Sequence, residues 1–547
     1  MKQNNTIPIK IQKSWKHMTP RYTTTFNAGD VVPFFNKLIQ PNDYIDMGAE
    51  SITNMSIPNY ATMDILYQDI AFFESPIKLV FDDWEKFYGE DKNNPYIEDV
   101  EIFLPQLKCP ENGWEIGTLA DYMYMPVKQK CKDVCALPFR IFTLIVENYY
   151  RDEEREEHYL ISKGSTDQTG TNGNNFYTDL QNGGKIPKAC KLFDYFTGTK
   201  LQFQAGEGVK LPLGTTSPVL VGTEDIPNEY FTGAPLRLKR ADGEDIEGNS
   251  PLYLYDDYVS NTGANSNPTG YFYGLAPANL YTDLSKASSV DLRTLKIALM
   301  TQQYLQNLED GGTRYIEQIY KRWGIFANEL ELQVPQYLGG HRFQLNMTMI
   351  AGTAPGNAES GKYEFGSVTG VSNTRYSAKY FKKHFQQHGW LFGITTIRPL
   401  NTYQQGIERQ HILKSLNDLY KPEMAFLGPE PVYNYEIYSD GTPDDDIMFG
   451  VRNYGDYLRY LPNKVSGQIR KNSNFSQDYK TYALYFNERP LNNVEFIKAD
   501  ESQVDKTLID IEENGEKQNQ FTFQIQLDIW IRQNLPANGN GSTTLRI

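Results

Sequence analysis

FTFQIQLDIWIR, residues 521–532, sets Phe521, Phe523, Ile525, Leu527, Ile529 and Ile531 against Thr522, Gln524, Gln526 and Asp528, with Trp530 the one exception among the polar positions. Side chains of an extended chain point alternately to opposite faces, so this unbroken period of two specifies a strand with one buried and one open face. A stretch far upstream repeats the pattern: Phe343, Leu345, Met347 and Met349 alternate with Arg342, Gln344, Asn346 and Thr348. From Tyr22 to about Ile77 the chain reads as further strands, punctuated by Gly29, Pro33, Pro41-Asn42, Gly48 and Pro58. Strands separated by hundreds of residues imply sheets closed by distant segments, as sandwiches and jelly rolls require.

Helical periodicity lies between these strands. Phe142, Ile145, Val146 and Tyr149 follow i, i+3, i+4, i+7 spacing and run into the acidic stretch Asp152 to Glu157. Ile316, Ile319, Tyr320 and Trp323 repeat it after the Gly311-Gly312 break, which ends a preceding helix starting near Asp291 behind Ser288. A third helix is predicted from Ala378, Phe381 and Phe385, stopping at Gly389. The absence of regular strand-helix alternation excludes a doubly wound sheet and leaves a β scaffold decorated with helices. GSTDQTGTNGNN, residues 164–175, reads as an exposed loop. Residues 215–289, rich in Gly, Pro, Asn, Ser and Tyr, are too long for an ordinary connection and read as a surface subdomain or protrusion.

The composition supplies a core and little chemistry. Apolar residues make up 39% of the chain, which excludes disorder for most of it, and 38 tyrosines with 29 phenylalanines suit strands and wet subunit contacts. The net charge of −15 argues against a whole-surface nucleic-acid binder. Its distribution is uneven, because Lys2, Lys10, Lys13, Lys16 and Arg21 precede the first acidic residue, Asp30. Cys109, Cys131, Cys135 and Cys190 are too few for a disulfide framework and fit reduced, cytosolic assembly. Neither a signal sequence nor a membrane-length apolar run is present, so no membrane insertion is expected.

No phosphate loop, dinucleotide fingerprint, HExxH or GxSxG motif occurs. His384 and His388 would meet on one face of the third helix, but no third metal ligand accompanies them. Asp444, Asp445 and Asp446 resemble a calcium loop only loosely. Carboxylate pairs such as Asp82-Asp83 and Glu153-Glu154 match the two acids of a glycosidase in residue type alone. Neither a catalytic residue, a metal nor a cofactor is expected.

Longer blocks carry a family resemblance. TTTFNAGDVVPFF from Thr23 and DILYQDIAFFESPIKLVFDDWEKFYGE from Asp64 are followed in order by FRIFTLIVENYYRDE, FDYFTG, GGTRYIEQIYKRWG, PQYLGG, HGWLFGITTIRP, TYQQGIERQ, EMAFLGPEPVYNYEIY and MFGVRNYGDYLRYLPNKVSGQIR. This series, spread over nearly the whole chain, resembles the major capsid proteins of the Microviridae in their gokushovirus-like branch. The most diagnostic residues are Gly311, Gly312, Thr313, Arg314 and Tyr315, and Tyr403, Gln404, Gln405 and Gly406.

The resemblance implies a mainly β fold, an eight-stranded viral jelly-roll β-barrel with long, partly helical inserted loops, forming a T=1 icosahedral shell around circular single-stranded DNA. It implies a basic arm over 1–21, one capsid domain over 22–547, and an outward protrusion over 215–289 that contributes to host attachment. Lys2, Lys10, Lys13, Lys16 and Arg21 are then expected to face DNA, with Trp15 stacking on an unpaired base. The implied partners are other copies of the chain, the packaged DNA, a small basic DNA-binding phage protein, a DNA pilot protein and a host cell-surface receptor. Assembly in the bacterial cytoplasm and residence in the virion follow. Residues 164–175 and much of 98–137 match no family block. Two other classes remain open at this point: a β-sandwich carbohydrate-binding or glycan-cleaving protein, and a spike or fibre subunit, although no internal repeat supports the latter.

Overall fold

The computed structural model describes residues 13–88, 102–209, 292–310, 314–325, 333–351, 368–425, 428–509, 511–513 and 516–535, with short strands between 219 and 282. Ten strands build two large antiparallel sheets: β1 Ser14–Met18, β2 Arg21–Phe26, β3 Val32–Ile39, β4 Tyr44–Met55, β5 Leu66–Pro76, β6 Gln336–Gln344, β7 Met347–Ala351, β8 Val368–His384, β9 Gly389–Pro399 and β10 Phe521–Gln533. In the first sheet β1 and β2 lie end to end along one edge of β10, followed by β4, β8 and β7. The second runs β6-β5-β9-β3. The chain passes repeatedly from one sheet to the other, and its last strand returns beside its first. That wrapping is a jelly roll. The two sheets hold six and four strands.

The 521–532 stretch forms the strand its alternation predicts. Phe521, Phe523, Ile525, Leu527, Ile529 and Ile531 are all at most 1% exposed, while the other row faces out. Phe34 joins the two sheets through edge contacts, at 5.7 Å from Phe523 and 5.8 Å from Phe72. Each such ring contributes roughly 2–3 kcal/mol by leaving water. One polar chain crosses this interior: Thr53 Oγ1 donates to Gln68 Oε1 at 2.6 Å, and Gln68 Nε2 donates to Thr395 Oγ1 at 3.0 Å. Buried amides need such partners.

Two sequence expectations change. Residues 342–349 are not one strand, since β6 ends at Gln344 on β5 and β7 begins at Met347 on β8. The chain changes sheet at Leu345-Asn346, so Phe343 and Leu345 are buried whereas Met349 is 56% exposed. The third predicted helix is also a strand, β8. Its ladder with β4 skips Tyr380 between Lys379 and Phe381. A bulge moves the inward row from even to odd positions, and that phase change gives Ala378, Phe381 and Phe385 a helix-like spacing. His384 and His388 consequently share no helix face: His384 Nε2 lies 2.8 Å from Asn42 Oδ1, and His388 Nε2 lies 3.1 Å from Tyr88 Oη.

The outer side of the second sheet is covered by helix α1, Leu137–Tyr149. Phe142 meets Phe392 of β9 at 6.0 Å and Tyr149 meets Phe73 of β5 at 4.8 Å. Fully buried Arg140 donates to Val80 O at 3.3 Å, Gly164 O at 2.8 Å and Gln168 Oε1 at 3.1 Å, tying the 164–168 loop beneath the helix. Two further helices follow, α2 Leu292–Asp310 and α3 Tyr315–Trp323. The expected start of α2 at Ser288 to Asp291 lies outside the described residues, as does the Ile316 side chain of α3.

The chain divides into two compact units, 1–203 with 308–547, and 204–307. Within the second, strand pairs nest inside one another: Val219–Val221 with Leu280–Thr282, Leu238–Arg240 with Leu275–Pro277, and Tyr253–Leu254 with Val259–Ser260. Such nesting describes one out-and-back excursion of the chain.

Candidate assembly and genome-facing surfaces

Strand register sorts the residues expected to face nucleic acid. Trp15 and Arg21 lie on the open face of the six-stranded sheet, opposite Arg532 and Gln526 of β10. Lys16 pairs with Ile531 and belongs to the opposite row, with Ser14 and Met18. Lys13 is exposed and donates to Asn42 Oδ1 at 3.0 Å. Lys2 and Lys10 lie outside the described residues. Within the stretch expected to be a basic arm, Ser14–Met18 is therefore a strand of the sheet.

The same open face gathers residues that sequence reading did not single out. His17 stacks on Trp530 with centroids 4.3 Å apart, and its Nε2 meets Asp528 Oδ1 at 2.5 Å. The Arg532 guanidinium lies over Trp15 at 5.7 Å and over Tyr44 at 5.6 Å. Farther across, Arg375 pairs with Glu50, and Lys382 with Asp46 at 2.7 Å. Trp15 and Trp530 remain 53% and 45% exposed. Half-exposed indoles flanked by guanidinium groups provide stacking surfaces and phosphate partners together. The signal available in the sequence was Trp530, an aromatic residue in the polar phase of the alternation.

The family blocks serve structure. Gly311, Gly312 and Thr313 lie outside the described residues. Arg314 binds Glu153 Oε1 at 2.5 Å and donates to the carbonyls of Glu147 and Arg151 at 3.2 Å, closing the C-terminal end of α1, where a cation is favoured. Tyr315 is 67% exposed. The second block organises a separate small core of Tyr195, Phe196, Tyr403, Val432, Ile437, Phe449, Leu484 and Phe496. Tyr403 Oη donates to Asp194 Oδ2 at 2.7 Å, and burial drives its pKa well above the usual phenol value. Gln404 donates to Leu484 O at 3.0 Å. Gln405 exchanges two bonds with the Phe486 backbone, at 2.7 and 2.8 Å. Gly406 packs directly on the Glu436 carbonyl. Burial raises the pKa of Glu436, whose Oε2 accepts from Tyr195 Oη at 2.9 Å.

Three of the four carboxylates that suggested hydrolytic chemistry are held in ion pairs. Asp83 binds Lys86, Glu153 binds Arg314, and Glu154 binds Lys200 at 2.5 Å. Arg489 sits among Asp440, Asp444 and Asp445, at 2.7, 3.3 and 2.8 Å, where the sequence suggested a cation loop. No group of three metal-ligating side chains occurs among the described residues.

Apolar surface is the more telling feature. Phe193, Leu458, Leu461, Phe475 and Leu491 are between 59% and 78% exposed, and α3 displays Tyr320 and Trp323 at 50% and 64%. Leu458 and Leu461 flank a cavity of about 240 Å³ that also reaches Tyr195, Arg409, Glu436 and Tyr457. Large apolar and aromatic side chains are the material from which subunit contacts are built.

A jelly roll that buries its core and still leaves large apolar side chains at its surface is the architecture of a structural subunit. Residues 5–542 match the model of the capsid protein (F protein) family. The chain belongs to that family of phage capsid proteins: it is a structural component of the virion and not an enzyme. It is 30% identical to capsid protein VP1 of Spiroplasma virus 4 over 91% of this chain and 90% of that one. Identity is 28% to VP1 of Bdellovibrio phage phiMH2K, covering 89% and 87%, and 28% to VP1 of Chlamydia phage 1, covering 89% of each. The glycan-binding or glycan-cleaving alternative finds no support in these relatives.

Proposed function

We propose that the subunit closes an icosahedral shell around circular single-stranded DNA, with the open face of the six-stranded sheet toward the genome. The row formed by Trp15, His17, Trp530, Arg21 and Arg532 carries this reading. It combines base-stacking surfaces with guanidinium groups on the face of the six-stranded sheet that points away from the core. Lys13 lies beside it, and Lys2 and Lys10 precede it in sequence. Lys16, on the other row, contributes at the sheet edge. A chain with a net charge of −15 cannot neutralise a packaged genome by itself, which favours a small basic DNA-binding phage protein as a partner. A DNA pilot protein and a host cell-surface receptor complete the set. Residues 215–289 serve attachment to the host, a role suited to an insertion folded as one excursion.

The test is the nucleic-acid content of purified particles. Joint replacement of Trp15 and Trp530 by Ala and of Arg21 and Arg532 by Gln should yield shells with less DNA or with DNA lost at lower salt. Full, salt-resistant packaging would reject the genome-facing assignment. Particles lacking residues 215–289 should assemble yet adsorb poorly, and normal adsorption would reject the attachment role.

A further inference from the structure

Cys109 and Cys131 stand apart from the other thiols. Cys131 Sγ donates to Cys109 Sγ across 2.9 Å, and the Cys131 backbone N–H donates to the same sulfur at 3.2 Å. Both residues are partly exposed, so a small reagent can reach them. A disulfide needs sulfurs about 2.05 Å apart, so the two must close by less than 1 Å. Twenty-two positions separate them, and the intervening chain is compact. Fully buried Trp114 bridges to Val127, and Lys128 N donates to Trp114 O at 2.7 Å. The loop also grips the barrel, because Tyr122 Oη donates to Thr25 O of β2 at 3.1 Å and Tyr124 Oη to Phe34 O of β3 at 2.7 Å.

We infer that Cys109 and Cys131 are a site of oxidative cross-linking that closes the 109–131 loop, whose Tyr122 and Tyr124 hold the barrel, once the protein leaves a reducing compartment. The oxidant class is a low-molecular-weight disulfide. One cysteine thiolate attacks it, forms a mixed disulfide and displaces one small thiol. The neighbouring sulfur then attacks, forming the Sγ–Sγ bond and displacing the second. Two S–H bonds are lost, the reagent disulfide is reduced to two thiols, and the electrons balance. Burial and the Cys109 sulfur hold the Cys131 thiol above its ordinary pKa, which keeps it protonated at neutral pH and makes the reaction faster as pH rises.

Intact particles purified under a thiol reductant, then exposed to oxidised glutathione, provide the test. Peptide mapping without reduction should recover the peptides of Cys109 and Cys131 joined and lighter by two hydrogens, with Cys135 and Cys190 free. Cross-linked particles should melt about 2–5 °C higher than reduced ones. Cys109→Ser and Cys131→Ser should each abolish the shift, and Cys190→Ser should retain it. Particles that stay fully reduced, or that link Cys135 or Cys190 instead, would overturn the inference. If the serine variants fail to assemble, the unreduced peptide map of oxidised wild-type particles alone decides the inference, because it identifies which sulfurs have joined.

Discussion

Replacing Gly406 by Ala probes whether the TYQQG block is a structural tie. A methyl group there would lie 1.9 Å from Glu436 O, 2.5 Å from its carbonyl carbon and 2.9 Å from Ile437 Cα. Ordinary contact begins near 3.4 Å, so the two backbones must part by about 1.5 Å. That separation sacrifices the bonds from Ile407 N to Tyr435 O at 2.8 Å and from Ser439 N to Gln405 O at 3.2 Å. Two lost bonds at about 1 kcal/mol each, with overpacking of about 1–2 kcal/mol, give a destabilisation of roughly 3–4 kcal/mol. Gly467→Ala is the control, because its φ of +68° is left-handed but nothing lies within 4 Å of the added carbon. It should cost only about 1 kcal/mol. Urea denaturation of the free subunit, followed by tryptophan fluorescence, measures both. A Gly406→Ala variant no less stable than Gly467→Ala would refute the tight tie.

Lys191 is buried against Phe496, donating to its carbonyl at 2.6 Å, and burial pulls its pKa from 10.5 to about 8. A depressed lysine binds fewer protons folded than unfolded, so stability should rise as pH climbs from about 8 toward 10.5, on the order of 3 kcal/mol in all. Lys191→Met should flatten that rise in a pH series of unfolding curves. Arg140→Ala strands the carbonyls of Val80 and Gly164 and should cost about 3–5 kcal/mol by the same denaturation measurement. Leu461→Asp, at a side chain 75% exposed, should change subunit stability by less than about 0.5 kcal/mol yet sharply reduce particle yield in sedimentation.

Strong, uninterrupted alternation made β10 legible, and the i, i+3, i+4, i+7 stripe made α1 legible, because one interface dominates the burial of each. β8 was misread where the bulge at Tyr380 changes the phase, an event set by pairing with β4 that leaves no local mark. The break at Leu345-Asn346 was hidden for a similar reason: both flanking segments keep period two while belonging to different sheets. The open-face surface was half legible. Trp15 and Arg21 were visible in a basic segment with His17 between them, but Trp530 and Arg532 join them only through pairing across more than 500 positions. Family blocks pointed to identity, and their roles as ties emerged only when Arg314 met α1 and Gln405 met Phe486.

The order of strands within the first sheet has a consequence for synthesis. β10 is the last of the ten strands to leave the ribosome, yet it occupies an interior position, hydrogen-bonded to β1 and β2 on one side and to β4 on the other. A nascent chain thus holds a gap between those strands until β10 arrives. Closing that gap needs both of its edges in place, so the first sheet is the part of the fold completed last.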